Sequence, residues 1–372
     1  MARLDRSTFA ILSSIVVTLG VPTGQQPKID NGRVTASPAG SLSQNVQKLI
    51  ASQAEVAWIG YSVPVIAGDR TMCCFESGTT WINGSVARSD GATCCPTCRL
   101  EPSGSTSMSS RSSQGQRNVV KLEGSGQMTV LLRISERQVE RVRVFSEECQ
   151  LDAGGRQVFW LENVRPPDSI AYLESLVTGQ ADRRDRVVEG AISAIALHAD
   201  PAADASLERL VAQNQPDHIR RRIPFWLGNA RGRRGLDTLR RIVKEDPSVE
   251  VRKKSVFGIS QSEEPDAIET LIATARANDQ TAVRGEAIFW LAQKAGRKAS
   301  AAITERIEQD PDTDVKKKAV FALSQLPKDE GVPLLINVAR THSNPVVRKQ
   351  AMFWLGQSKD PRALEFFAEV LK

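Results

Sequence analysis

The chain has 372 residues, of which 41% are hydrophobic and 25% charged, ordinary proportions for a folded protein of more than one domain. That composition excludes a largely disordered chain, and a single long apolar stretch, at the N-terminus, excludes a multi-span membrane protein. The net charge of +6, from 49 Lys and Arg against 43 Asp and Glu, falls short of a nucleic-acid signature, and three His leave few acid–base catalysts.

Residues 1–26 read as an export signal. Arg3 and Arg6 precede an apolar run from Phe9 to Val21, which Pro22 ends. Such a run is short for a bilayer span and suits a signal-peptide core; an uncleaved anchor is the other reading. Either places the bulk of the chain outside the cytoplasm, in the periplasm or beyond. The six cysteines, Cys73, Cys74, Cys94, Cys95, Cys98 and Cys149, all lie in the N-terminal part. An even number confined to one exported domain points to disulfides, whose pairing the sequence leaves open. The alternative is a zinc site, with Cys95 and Cys98 as a C-x2-C knuckle completed by Cys73 and Cys74. Haem attachment is excluded because Arg99 stands where that motif needs His.

Residues 45–165 read as a small antiparallel β domain. Strands are expected at Trp58–Ile66, Val119–Leu122, Met128–Ser135, Val139–Phe145 and Gln157–Leu161, where β-branched runs are separated by Gly, Ser or charged turns. A Ser-rich stretch, with seven Ser between Ser103 and Gln114, marks 103–117 as a mobile loop.

From residue 166 the sequence repeats. Val187, Ile219, Val251, Val283, Val315 and Val347 each open a similar block, at a constant spacing and without an insertion. After each block come a short loop and a second apolar-periodic segment, and two helices with two loops fill such a unit. Counting an extra second segment at 168–177 gives seven helices of one kind alternating with six of the other. Asp246-Pro247, Asp310-Pro311 and Asn344-Pro345 are expected to cap helix starts. Pro224 falls inside the second block and should kink it.

The Asp-Pro turns, the Val-Arg pairs (Val251-Arg252, Val283-Arg284, Val347-Arg348), the small residue four after the Val and the Leu-Gly or Leu-Ala ends resemble HEAT repeats, most closely the short form of the phycobilisome-lyase group. The resemblance covers the C-terminal part from residue 166 on and implies a right-handed α-solenoid of about six repeats over 166–372, so the expected class is α+β and multidomain. It also implies that the Val-Arg helix lines the concave side. It does not imply one function, because HEAT arrays host many.

On a helical wheel the Val and the residues four, seven and eight later cluster as the core. The residue six later falls about 240° away, on the far side, and it is Phe225, Phe257, Phe289, Phe321 and Phe353 in five consecutive blocks. Beside it fall Gln261, Gln293, Gln325 and Gln357, and the cations Arg221, Arg222, Lys253, Lys254, Lys317, Lys318 and Lys349. This stripe reads either as a groove for an extended, acidic polypeptide or as rings wedged between helices as core. The residue seven after the Val alternates strictly, Ala194, Trp226, Gly258, Trp290, Ala322, Trp354, and is read as indoles packed against small neighbours.

Catalysis finds little support. His198, His218 and His342 are followed by Ala, Ile and Ser, so the His-Glu pairs of the HEAT-type deoxyhypusine hydroxylases are missing, and these His are expected at loops or surfaces. No phosphate loop, H-E-x-x-H or G-x-S-x-G is present. The expectation is a non-enzymatic, cofactor-free scaffold of the bacterial cell envelope that docks proteins. The alternatives are a lyase or chaperone-type enzyme of the HEAT-like lyase group, and nucleic-acid binding by a basic groove. Against the last, residues 166–372 hold 32 Lys and Arg against 29 Asp and Glu.

Overall fold

A computed structural model describes residues 26–67, 98–101, 126–147, 149–179 and 185–371. The apolar N-terminal run, Cys73, Cys74, Cys94, Cys95, the Ser-rich loop and the strand expected at 119–122 lie outside the described residues, as does the side chain of Cys98.

The N-terminal part contains β1 (Ile29–Asp30), β2 (Arg33–Pro38), α1 (Leu42–Ser52), β3 (Ala57–Pro64), β4 (Cys98–Arg99), β5 (Gln127–Ser135), β6 (Gln138–Ser146), β7 (Leu151–Asp152) and β8 (Gln157–Glu162). Its main sheet has the order β2-β8-β3-β5-β6. The neighbours β3, β5 and β6 are antiparallel as expected, but β8 runs parallel to both β2 and β3, so the sheet is mixed. The parallel pairs need the crossovers that α1 and the β6–β8 connection provide. Strands β3 and β5 alternate only loosely because both of their faces are covered. Ile59, Tyr61, Val130 and Leu132 face the helices, while Trp58, Leu131, Phe145 and Val158 form a second core with Leu100, Leu151 and the buried, disulfide-bonded Cys149.

The helices form two rows. The outer row is α2 (Pro166–Thr178), α4 (Ala202–Leu210), α7 (Gly232–Glu245), α9 (Ala267–Ala277), α11 (Ser300–Gln309), α13 (Lys328–Thr341) and α15 (Pro361–Val370). The inner row is α3 (Asp185–Leu197), α5 (Asp217–Arg220) continued by α6 (Ile223–Ala230), α8 (Val249–Gln261), α10 (Thr281–Ala295), α12 (Thr313–Ser324) and α14 (Pro345–Ser358). Pro224 does more than kink its block: the helix breaks at Arg221–Arg222 and restarts with Pro224 in its first turn, where a missing N–H costs nothing. Inner-row neighbours pack closely from α6 to α14, whereas outer-row neighbours splay apart, so the array curves toward the Val-Arg side.

The Asp-Pro turns work differently from the expectation. Asp246 and Asp310 end the preceding helices, and the caps of α8 and α12 are Ser248 and Asp312. Only Asn344-Pro345, and Asp360-Pro361 at the last helix, cap as Asx-Pro starts. Asp246 and Asp310 are buried because each accepts an arginine from the preceding block: Arg220 reaches Asp246, and Arg284 grips Asp310 with two bonds of 2.8 and 3.0 Å. Arg252 makes the same reach to Asn278 and Asp279. The turn side chains Asp246, Asn278 and Asp310 also take the N–H two residues on, at Ser248, Gln280 and Asp312. Arg252 and Arg284 of the Val-Arg pairs, like Arg220, are thus staples between repeats and do not face the groove, while Arg348 in the last block reaches only the His342 and Ser343 carbonyls.

The sheet and the array share one continuous core. Helix α3 lies on β6, and a Cβ on Gly190 would meet the Val142 carbonyl oxygen at 2.2 Å. This explains why the first block lacks the long side chains of its successors. Gly190→Val is expected to force the seam apart and cost about 3 kcal/mol or more, read by urea unfolding. Of the histidines expected at loops or surfaces, His198 and His342 lie in loops between helices, but both are buried.

Candidate functional site: an aromatic ribbon on the inner row

Five Phe and three Trp join into one ribbon along the inner row. Phe225 stacks on Phe257 (5.9 Å between ring centroids, 17°) and Phe289 on Phe321 (6.3 Å, 4°). Between these pairs the next repeat contributes an indole, with Phe257–Trp290 at 4.7 Å and 42° and Phe321–Trp354 at 4.8 Å and 48°. Each Trp then meets the Phe of its own helix edge-on, at 5.1, 4.9 and 5.0 Å for Trp226, Trp290 and Trp354.

The rings are neither core nor free. Phe225, Phe257, Phe289 and Phe321 are half-buried, and Phe353, which no later repeat covers, is 54% exposed. Their position opposite the core stripe turns them to the curved side, and lateral stacking covers part of each ring. The three Trp are half-buried too, so they pack against the core and also show an edge on this surface.

The alternation seven residues after the Val has a backbone cause. A Cβ on Gly258 would lie 2.3 Å from the Pro224 carbonyl oxygen, and one on Gly228 would lie 1.8 Å from that of Gly258. Helices α6 and α8 therefore touch backbone to backbone, which brings Phe225 and Phe257 into direct stacking. Where the position is Trp, the indole reaches back over the preceding Phe instead. In the sequence this signal is the alternation of large and small residues, which recurs every second block.

The polar residues follow the same double step. Lys253 pairs with Glu250 at 3.1 Å and Lys317 with Asp314 at 2.9 Å. Gln261 donates to Ser260 and Gln325 to Ser324, both at 3.0 Å. Gln293 and Gln357 are exposed. Among the described residues Arg221, Lys254, Lys318 and Lys349 are exposed and form no ion pair, while Arg222 is held by Asp185 and Glu189. Glu250, Lys253, Lys254, Phe257, Glu286 and Trp290 line an open pocket of about 160 Å³, in which Trp290 Nε1 donates to Glu286 at 2.8 Å. Glu250 and Asp314 do not stand out in the sequence, because a wheel read for cations and rings passes over them, whereas Glu286 is legible there as the acid that interrupts the cation stripe.

The expected site residues are thus brought together, with Phe, Gln and Lys side by side on the inner row. Of the cysteines, Cys149 is on the far side of the sheet, and of the zinc set Cys73, Cys74, Cys95 and the side chain of Cys98 lie outside the described residues.

The HEAT-repeat family profile matches residues 300–372. Solved structures similar to this chain include CpcE and CpcF of phycocyanin lyase from Nostoc sp. PCC7120 in complex (19% identity, 41% of this chain and 97% of that one, TM-score 0.33). Human deoxyhypusine hydroxylase matches at 19% identity (55% of this chain, 78% of that one, TM-score 0.25), and Kap95p in its complex with RanGDP at 17% (55% and 32%, TM-score 0.38). A search of curated proteins gave no match.

Proposed function

The chain is a HEAT-like repeat protein, and from that premise we propose that it is a non-enzymatic scaffold of the cell envelope that holds a polypeptide along its inner row. The observation that carries this reading is the ribbon. Eight rings in contact, edged by amides and unpaired cations, offer apolar area and hydrogen-bonding groups in a line, as an extended chain requires. The inner face offers no equally continuous track of cations for a phosphate backbone, because Lys253, Lys317 and Arg222 are neutralised by neighbouring carboxylates. Placement in the envelope is supported by the apolar run behind Arg3 and Arg6 and by the disulfide at Cys149.

A photo-crosslinking residue at Gln357 tests the reading in the native cell, with Glu269 on the outer row as control. Polypeptide adducts at Gln357 and none at Glu269 are expected. Nucleic-acid adducts, or equal adducts at both positions, would overturn it. Phe289→Ser is expected to abolish the adducts while costing only about 1–2 kcal/mol, because the ring is half-buried. Fractionation should place the protein in the envelope.

A further inference from the structure

We infer that the inner row carries two copies of one aromatic notch, two repeats apart, and that together they read an extended, acidic polypeptide segment through two apolar side chains four or five positions apart. This rests on the scaffold reading and adds the register and charge of the segment.

The first notch has Phe257 and Trp290 as its floor, with Glu250, Lys253, Lys254 and Glu286 around it. A step of two repeats carries this set onto Phe321, Trp354, Asp314, Lys317, Lys318 and Gln350. The geometry repeats with the residues. The ring centroids of the floor are 4.7 Å apart and tilted by 42° in the first notch, against 4.8 Å and 48° in the second. In both, the first lysine is tied to the acid three residues earlier and the second is exposed and unpaired. The single repeat does not have this property, since Phe225–Phe257 and Phe289–Phe321 are flat stacks without an indole between them. Recognition therefore has a step of two repeats.

The volume and the spacing define the occupant. The first notch, about 160 Å³, matches a cavity of roughly 150 Å³ that takes up one benzene ring, so it suits one apolar side chain. The ring path from Phe257 through Trp290 and Phe289 to Phe321 has steps of 4.7, 4.9 and 6.3 Å, and the path length is the upper limit on the distance between the two Phe. At about 3.3 Å per residue an extended chain covers that path in four or five positions.

Charge gives the segment its sign. Around the first notch two lysines meet Glu250 and Glu286 and balance; at the second, Gln350 replaces the second acid, and Lys318, whose side chain lies over Gly285 of α10, adds an unpaired cation beside the notch. Lys349 beside it adds a further unpaired charge. An acidic residue next to the anchor in the second notch is thus favoured, which also orients the segment.

The test uses the full chain and short fluorescein-labelled peptides of Ser and Glu, all of one length, with one Phe or with two Phe separated by two to eight positions. Affinity, read by anisotropy, is expected to peak at a separation of four or five, at least tenfold above the single-Phe peptide. Phe321→Ser should abolish the dependence on separation and leave single-anchor binding. Lys318→Glu, an exposed position with little bearing on folding, should weaken the best peptide at least threefold. A flat dependence on separation, a peak elsewhere, or no binding of any peptide would overturn the inference. If Gln357 still crosslinks to polypeptide in cells after such a result, the scaffold reading stands and only the two-notch register falls.

Discussion

Asp310→Ala should be among the most damaging single changes in the array, at about 3–5 kcal/mol, the usual cost of removing one partner of a buried ion pair. The Asp310 side chain has no solvent exposure, and Arg284, also buried, grips both of its oxygens. Truncation leaves a guanidinium in a closed site with only the Asn278 carbonyl as acceptor, and it strips the Asp312 N–H of its partner. In a repeat array the damage should stay near its source, because each repeat contacts only its neighbours. Hydrogen exchange is expected to accelerate first in α10 to α12, and thermal melting should lose cooperativity there. Replacing both partners, Arg284→Met with Asp310→Leu, should recover most of the loss, because no charge is then left buried alone. A fully stable Asp310→Ala protein would show that the staple contributes nothing to holding repeats together.

The array was legible in the sequence because its information is local and repeated. Val251, Ser255 and Ile259 sit one turn apart on one stripe, and so do their counterparts in the blocks that follow. Boundaries were less legible where one dipeptide can serve two ends. Asp246-Pro247 and Asn344-Pro345 look alike, yet the first closes α7 and the second opens α14, and the difference is that Ser248 supplies the next cap. In the β part the strands followed from β-branched runs, but β2, a polar, mostly exposed edge strand, carries no alternation to read, and α1 lacks both a side-chain cap and acidic first-turn residues. The insertion of β8 between β2 and β3 pairs Gln157 with both Arg33 and Ala57, contacts set by tertiary packing that no local pattern encodes. The ribbon was half legible. Phe257 and Phe289 follow from wheel arithmetic, whereas the role of Trp290 depends on how closely the helices approach, which Gly258 and its neighbours decide.

Acid should weaken the joint between sheet and array, and His198 sets the range. Its Nδ1–H donates to the Ala194 carbonyl at 2.6 Å, and its Nε2 accepts from the Ser169 hydroxyl at 3.0 Å, which in turn is 2.9 Å from the Tyr61 hydroxyl. His198 directly follows α3, while Ser169 belongs to α2 and Tyr61 to β3, so one buried chain of hydrogen bonds crosses the joint. Burial lowers the His198 pKa from 6.5 to about 4, Arg231 on the His198 carbonyl adds to the effect, and the Ala194 bond and Asp200 oppose it. The unfolded chain, with an ordinary imidazole, binds a proton in this range that the folded chain refuses. Stability is therefore complete above pH 6.5, falls between about 6.5 and 4, and levels off below. At pH 4.5 the loss from this one group is about 2–3 kcal/mol. Carboxylates titrate nearby in pH, so the measurement is a difference: urea unfolding of the wild type and of His198→Gln at pH 7.5 and 4.5. The variant starts less stable, because the chain from Tyr61 is broken, but its loss on acidification should be smaller by that amount. Equal losses in the two proteins would mean that His198 is not the group that acid attacks.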